Sequence, residues 1–345
     1  MHNKSSISET ITLLRFPLTV FIVMYHCFCW MTPQEQPLYA ALVYPFGLMM
    51  GETGVPAFSF ISGYLFFVSQ RSYGEKLKAR VSSLLLPYVL WNALVLLAYV
   101  VLMFIGHPQD IAGKSIADYQ FLDYLRAFVD RGVWDNGNGQ PMLCPFWYVR
   151  NLMILSLAAP LIRYLVMGTK GILLLMVLLV WWISVPYNGM IAQSVLFFSM
   201  GAFFSVNRVS PILTHNPVYT RAVAMLWLFL AVLDWLTHTC ISIWGALYIH
   251  RLVLVANIFI LFLVGALLSK NIRVIPLLQK SCFWIYAFHY PFTILLRHIS
   301  PVNNDWMQFA VYMLSVMVIL MACISTYAIG RRLMPQVVNV LTGNR

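Results

Sequence analysis

The chain predicts an all-α fold: a polytopic transmembrane helix bundle of about ten spans, with both termini cytoplasmic. Three observations carry this expectation. Hydrophobic residues make up 61% of the chain and charged residues 10%, with a mean hydropathy of +0.79, whereas a soluble domain carries roughly 25% charge. Apolar stretches of the length that crosses a bilayer recur along the whole sequence. The basic residues are sorted between alternate connections.

The ten predicted spans cover 12–30, 53–70, 82–105, 145–166, 171–186, 190–206, 218–236, 250–268, 281–299 and 306–328. With the N-terminus inside, 16 lysines and arginines and two acids fall on the cytoplasmic side, against six basic and nine acidic residues outside. That asymmetry is the positive-inside pattern of a multi-pass protein of the cytoplasmic (inner) membrane. It also removes nucleic acid as a partner despite the net charge of +11, because the basic residues are scattered over many short loops. The lipid bilayer is the expected surrounding. The whole chain, 1–345, is read as one integral-membrane domain.

The first span carries Arg15 and His26, eleven positions apart. Eleven helical steps make three turns plus about 20°, so the two share a face, separated by about 16 Å along the axis. An ionisable group at such depth is costly and faces a protein interior or a wet cavity. Neutral histidine serves as a general base, and arginine grips phosphate. A packing histidine and a snorkelling arginine are the bland alternatives.

Glu52, in Gly51-Glu-Thr-Gly54, sits at the outer end of the second span, toward which His26 points. It is a candidate partner for that histidine, or a solvated loop acid. Ser62-Gly63 favours close helix approach. Lys76, Lys78 and Arg80 form a cytoplasmic basic cluster suited to an anionic ligand, or to lipid headgroups. Trp147, Tyr148 and Arg150 open the fourth span from outside, where topology does not favour a positive charge. Tyr286 and His289 are three apart, on one helix face, ahead of a proline at 291 that is expected to kink the helix.

The outer connection 106–144 is the one sizeable polar segment. Asp118 to Arg131 predicts a short amphipathic helix with Tyr119, Leu122, Leu125 and Phe128 at helical spacing, followed by the turn-rich 135–141. It is either a lid that binds an acceptor or a cover on the bundle. The six cysteines show no metal-ligand spacing, and no metal site is expected. A Cys144–Cys240 disulfide is open on the outer side.

Five segments together resemble the membrane acyltransferase 3 family of bacterial inner-membrane O-acyltransferases. They are Arg15-x10-His26, Phe58-Ser-Phe-Ile-Ser-Gly-Tyr-Leu-Phe66, Leu85-Leu-Pro-Tyr88 after basic residues, Phe146-Trp-Tyr-Val-Arg-Asn-Leu152, and Ser281 to His289. They occur in the family's order and span nearly the whole chain. Arg80 matches the first of two arginines that many members carry three apart; Ser83 stands at the second position.

The resemblance implies acyl transfer, of acetyl in the first instance, from cytoplasmic acyl-CoA to a hydroxyl of an extracytoplasmic or lipid-linked carbohydrate. In this reading His26 is catalytic, as base or as acyl carrier, with Glu52 beside it. Arg15, Lys78 and Arg80 hold the CoA co-substrate. Trp147, Tyr148, Arg150, Tyr286 and His289 line the acceptor side. The competing functions are a transporter or flippase of a polar lipid-linked glycan, and a structural or sensory protein.

Overall fold

The computed structural model describes residues 2–31, 36–132, 139–185, 190–212, 217–241, 245–299 and 302–344. Asp135 to Asn138 of the predicted turn-rich loop lie outside them. The helices are α1 (His2–Met31), α2 (Pro37–Tyr44), α3 (Gly54–Val68), α4 (Tyr73–Arg80), α5 (Leu86–Phe104), α6 (Phe121–Arg126), α7 (Trp147–Leu157) and α8 (Ala159–Leu165). They continue as α9 (Thr169–Ser184), α10 (Met190–Val206), α11 (Pro217–Thr239), α12 (Ala246–Leu268), α13 (Pro276–Leu295), α14 (Asp305–Leu333) and α15 (Pro335–Leu341). A two-stranded hairpin pairs Asp110–Ile111 with Lys114–Ser115.

Helices therefore lie at each of the ten predicted spans. Among the described residues, five stretches are long and apolar enough to cross a bilayer on their own: Ile7–Cys29, Tyr73–Phe104, Pro217–Thr239, Ala246–Leu268 and Asp305–Leu333. The predicted span 145–166 is not straight. It bends by 70° between α7 and α8, and counts as a sixth crossing if taken as one. Pro160, at the start of α8, explains the break, because it lacks an amide hydrogen and clashes with a carbonyl one turn back. Helix α13 continues past the proline at 291 to Leu295.

Helices α3 and α10, of 15 and 17 described residues, are largely buried. Their backbones touch. A Cβ on Gly63 would lie 2.1 Å from the Phe198 carbonyl oxygen, and one on Gly201 would lie 2.0 Å from that of Phe60. Small residues permit the close approach that supplies packing where lipid supplies no hydrophobic drive.

The outer connection differs from expectation. Helix is confined to α6, preceded by a short 3-10 turn, Ile116–Asp118. Its apolar residues Phe121, Leu122 and Leu125 are exposed, while Asp123 is buried, accepting from Lys114 Nζ at 2.7 Å and the Gln120 amide at 2.9 Å. The apolar face thus points away from the protein, as suits a helix lying at a lipid interface.

The chain beyond α6 folds into the bundle rather than over it. Tyr88 donates to the Phe128 carbonyl, Arg150 to the Val129 carbonyl, and the Leu143 amide to Asn92 Oδ1 at 2.8 Å. The residue next to Asn92, Trp91, donates from Nε1 to the Leu341 carbonyl at 2.9 Å. The outer connection and the C-terminal α15 therefore meet α5 at one level. Cys144 and Cys240 are both free thiols, so the disulfide does not form.

Candidate active site

Helices α1 and α13 pack side by side and run in the same direction. Arg15 lies beside Cys282, and His26 meets His289 farther along. Arg15, Thr19, Ile22 and His26 lie on one stripe of α1; Cys282, Ile285 and His289 lie on the facing stripe of α13.

The two histidines fix one another. His289 Nε2 is 3.3 Å from His26 Nδ1. His26 Nδ1 is also 2.8 Å from the Ile22 carbonyl oxygen, and His289 Nδ1 is 2.9 Å from that of Ile285. A carbonyl only accepts, so in both neutral rings the proton is assigned to Nδ1. His26 Nδ1–H is then shared between the Ile22 carbonyl and the lone pair on His289 Nε2. Among the described residues nothing binds the remaining nitrogen of His26, Nε2, which keeps its lone pair. His289 is fully buried, whereas His26 keeps accessible surface. Tyr290 stands edge-on to His26 at 5.5 Å.

A polar and aromatic path leads away from this pair. Tyr286 stacks on Phe146 at 5.5 Å and donates from its hydroxyl to the Pro145 carbonyl. Tyr148 stands edge-on to Tyr286 at 6.3 Å, and its hydroxyl is 3.1 Å from Ser62 Oγ. The Arg80 guanidinium faces Tyr148 and lies over the Phe66 ring at 5.7 Å, where Lys76 Nζ approaches at 5.2 Å. Lys76 and Arg80 are four apart and share a helix face. Lys78, two positions from each, points elsewhere and does not join them. Arg15 is exposed.

Other predicted residues have different partners. Glu52 does not reach His26; its Oε2 is 3.1 Å from Nε2 of His250. Arg150 binds the Asn151 side chain as well as the Val129 carbonyl, so it ties down the folded-in connection. Trp147 packs against the core edge-on to Tyr148 at 6.4 Å.

Sequence reasoning missed Arg131 and Cys144, which lie beside the Tyr290 hydroxyl above His26. It also missed Asp234, buried within α11 and bound to His250. An aspartate inside the apolar run Ala231-Val-Leu-Asp-Trp-Leu236 was the signal for the last; Arg131 was placed at the end of a predicted helix that stops at Arg126.

A model of the family described as acyltransferase domain matches residues 9–327. The chain belongs to that family. Over 367 aligned residues it is 25% identical to the succinoglycan biosynthesis protein ExoH of Rhizobium meliloti (strain 1021), covering 99% of this chain and 93% of that protein. No solved structure matches. Family and helices together describe a multi-pass membrane acyltransferase.

Proposed function

We propose that the protein transfers an acyl group, acetyl in the simplest case, from acyl-CoA at the cytoplasmic face to a hydroxyl of an extracytoplasmic or lipid-linked carbohydrate. The observation that carries this reading is the lone pair on His26 Nε2, held in one tautomer by the Ile22 carbonyl and His289. That is the form a general base takes before it accepts a proton from an attacking hydroxyl. The similarity to ExoH, a succinoglycan biosynthesis protein, supports a carbohydrate acceptor.

The steps follow from these atoms. The acceptor hydroxyl gives its proton to His26 Nε2 as its oxygen attacks the thioester carbonyl carbon. The imidazolium that forms keeps its Nδ1–H on the Ile22 carbonyl and the His289 lone pair, which stabilises the charge. Collapse of the tetrahedral intermediate breaks the C–S bond, and His26 returns the proton to the CoA thiolate. The products are an O-acyl ester and free CoA. Arg15, Arg80 and Lys76 supply cations for the CoA phosphates.

The test is acyl transfer by membranes holding wild-type or His26→Ala protein, with mass spectrometry of surface glycans. Full transfer by His26→Ala sinks the mechanism. Glycan movement without consumption of acyl-CoA favours a flippase instead.

A further inference from the structure

A second buried polar network stands apart from the histidine pair. His250, on α12, is 3% exposed. Its Nδ1 is 3.0 Å from Asp234 Oδ2 and 3.2 Å from the Tyr44 hydroxyl, and its Nε2 is 3.1 Å from Glu52 Oε2. With a carboxylate on each nitrogen, both nitrogens donate. His238 adds an ion pair to the other Asp234 oxygen at 3.2 Å and stacks on Tyr44 at 5.1 Å.

Such a network is expensive inside an apolar bundle. Docking of the helices does not require it. Trp235 Nε1 already donates to the Ala41 carbonyl at 2.9 Å, and Trp227 Nε1 to Asn257 Oδ1 at 2.6 Å. Asn257 in turn donates to the Met49 carbonyl and to Thr53 Oγ1. Those links join the same segments around residues 41–53 to α11 and α12.

The network ends on an oxygen that faces outward. Asp234 is fully buried, but the Glu52 side chain is 35% exposed. Among the described residues nothing claims its second oxygen, Oε1. Glu52 also lies beside Cys29, which is three positions beyond His26 and shares its helix face. Glu52 therefore stands about one turn of α1 beyond His26.

The charges set the ligand chemistry. Glu52 and Asp234 are offset by His250 and by Arg251, whose guanidinium lies beside Glu52 but is bound to the carbonyls of Trp182, Ile183 and Val185. The two cations nearest Glu52, His250 and Arg251, are thus both engaged by protein groups. A fixed carboxylate oxygen accepts strong hydrogen bonds from hydroxyls.

We propose that Glu52, pinned by the His250–Asp234 pair, is the acceptor-binding carboxylate: its Oε1 receives a neutral sugar hydroxyl beside the hydroxyl that is acylated. Glu52 is the binding residue, and His250 and Asp234 are positioning residues. This rests on the carbohydrate acyltransferase reading above.

The experiment uses the full-length protein in nanodiscs, with radiolabelled acetyl-CoA and, as acceptor, the envelope carbohydrate extracted from the cells that make the protein. Glu52→Gln is expected to raise the apparent KM for that carbohydrate about tenfold or more, the effect of a lost charged hydrogen bond. The KM for acetyl-CoA stays unchanged and kcat moves little. Glu52→Asp falls between, and His250→Gln shifts the same KM less. An unchanged carbohydrate KM in Glu52→Gln, or a shift in the acetyl-CoA KM instead, overturns the proposal and leaves the acyltransferase reading standing. No transfer by wild type overturns both. If Glu52→Gln fails to insert, Glu52→Asp read in the same way decides.

Discussion

His26 and His289 meet at 3.3 Å across the contact of α1 with α13, and His26 is left with one free nitrogen. The two residues are therefore unequal. His26 keeps accessible surface, whereas His289 is fully buried.

Removal of the base should cost more than removal of its partner. His26→Ala is expected to lower transfer by about 10²–10⁴-fold, the range for a positioned base. His289→Ala should lower it less and leave the KM for acyl-CoA unchanged. Initial rates in membranes, normalised to inserted protein, check the order. A larger loss in His289→Ala reverses the assignment.

Arg15, an exposed residue, lies on the same face of α1 as His26, about three turns away. Arg15→Ala is expected to raise the KM for acyl-CoA about tenfold, the effect of one charged hydrogen bond, with recovery in Arg15→Lys. The same substitution should leave the acceptor KM untouched. Steady-state kinetics with each substrate varied in turn makes the comparison.

Gly63 and Gly201 hold α3 against α10 with no room for a methyl group. Gly63→Ala or Gly201→Ala should reduce the yield and thermal stability of folded protein in detergent, because the obstacle in each case is backbone. Gly74, in α4, has nothing within 4 Å of the added Cβ. Gly74→Ala should be neutral or stabilising by up to about 1 kcal/mol. Equal behaviour of the three variants would contradict the α3–α10 contact.

The outer segment should loosen in acid. The hydrogen bond from Lys114 to Asp123, helped by the Gln120 amide, holds this carboxyl below the usual carboxylate range. A folded pKa below the unfolded one contributes stability above the unfolded value, about 3.9, and loses it as pH falls through the folded value. Hydrogen exchange over 106–132 should rise below about pH 4 in the wild type. In Lys114→Met most of that rise should already be present at neutral pH.

Much of the architecture was legible because membrane spans are a local property. Composition and the sorting of lysine and arginine placed helices at ten positions, although among the described residues five or six meet the length and apolarity of a span unaided. The bend at Ala158 has its sequence signal in Pro160, but the unbroken hydropathy of 145–166 hides it. The outward apolar face of α6 has none, since periodicity shows that a helix has two faces and not which one meets lipid.

The sequence by itself determined that the protein lives in a membrane, and that Arg15 and His26 share a helix face, because helical phase depends only on spacing along one segment. Only the tertiary structure decided that His289, 263 positions away, faces His26. It also decided that Glu52 pairs with His250 rather than His26, and that Lys76 rather than Lys78 joins Arg80. Those choices depend on how each helix is rotated against its neighbours. Side-chain packing sets that rotation across the whole bundle, and no single segment encodes it.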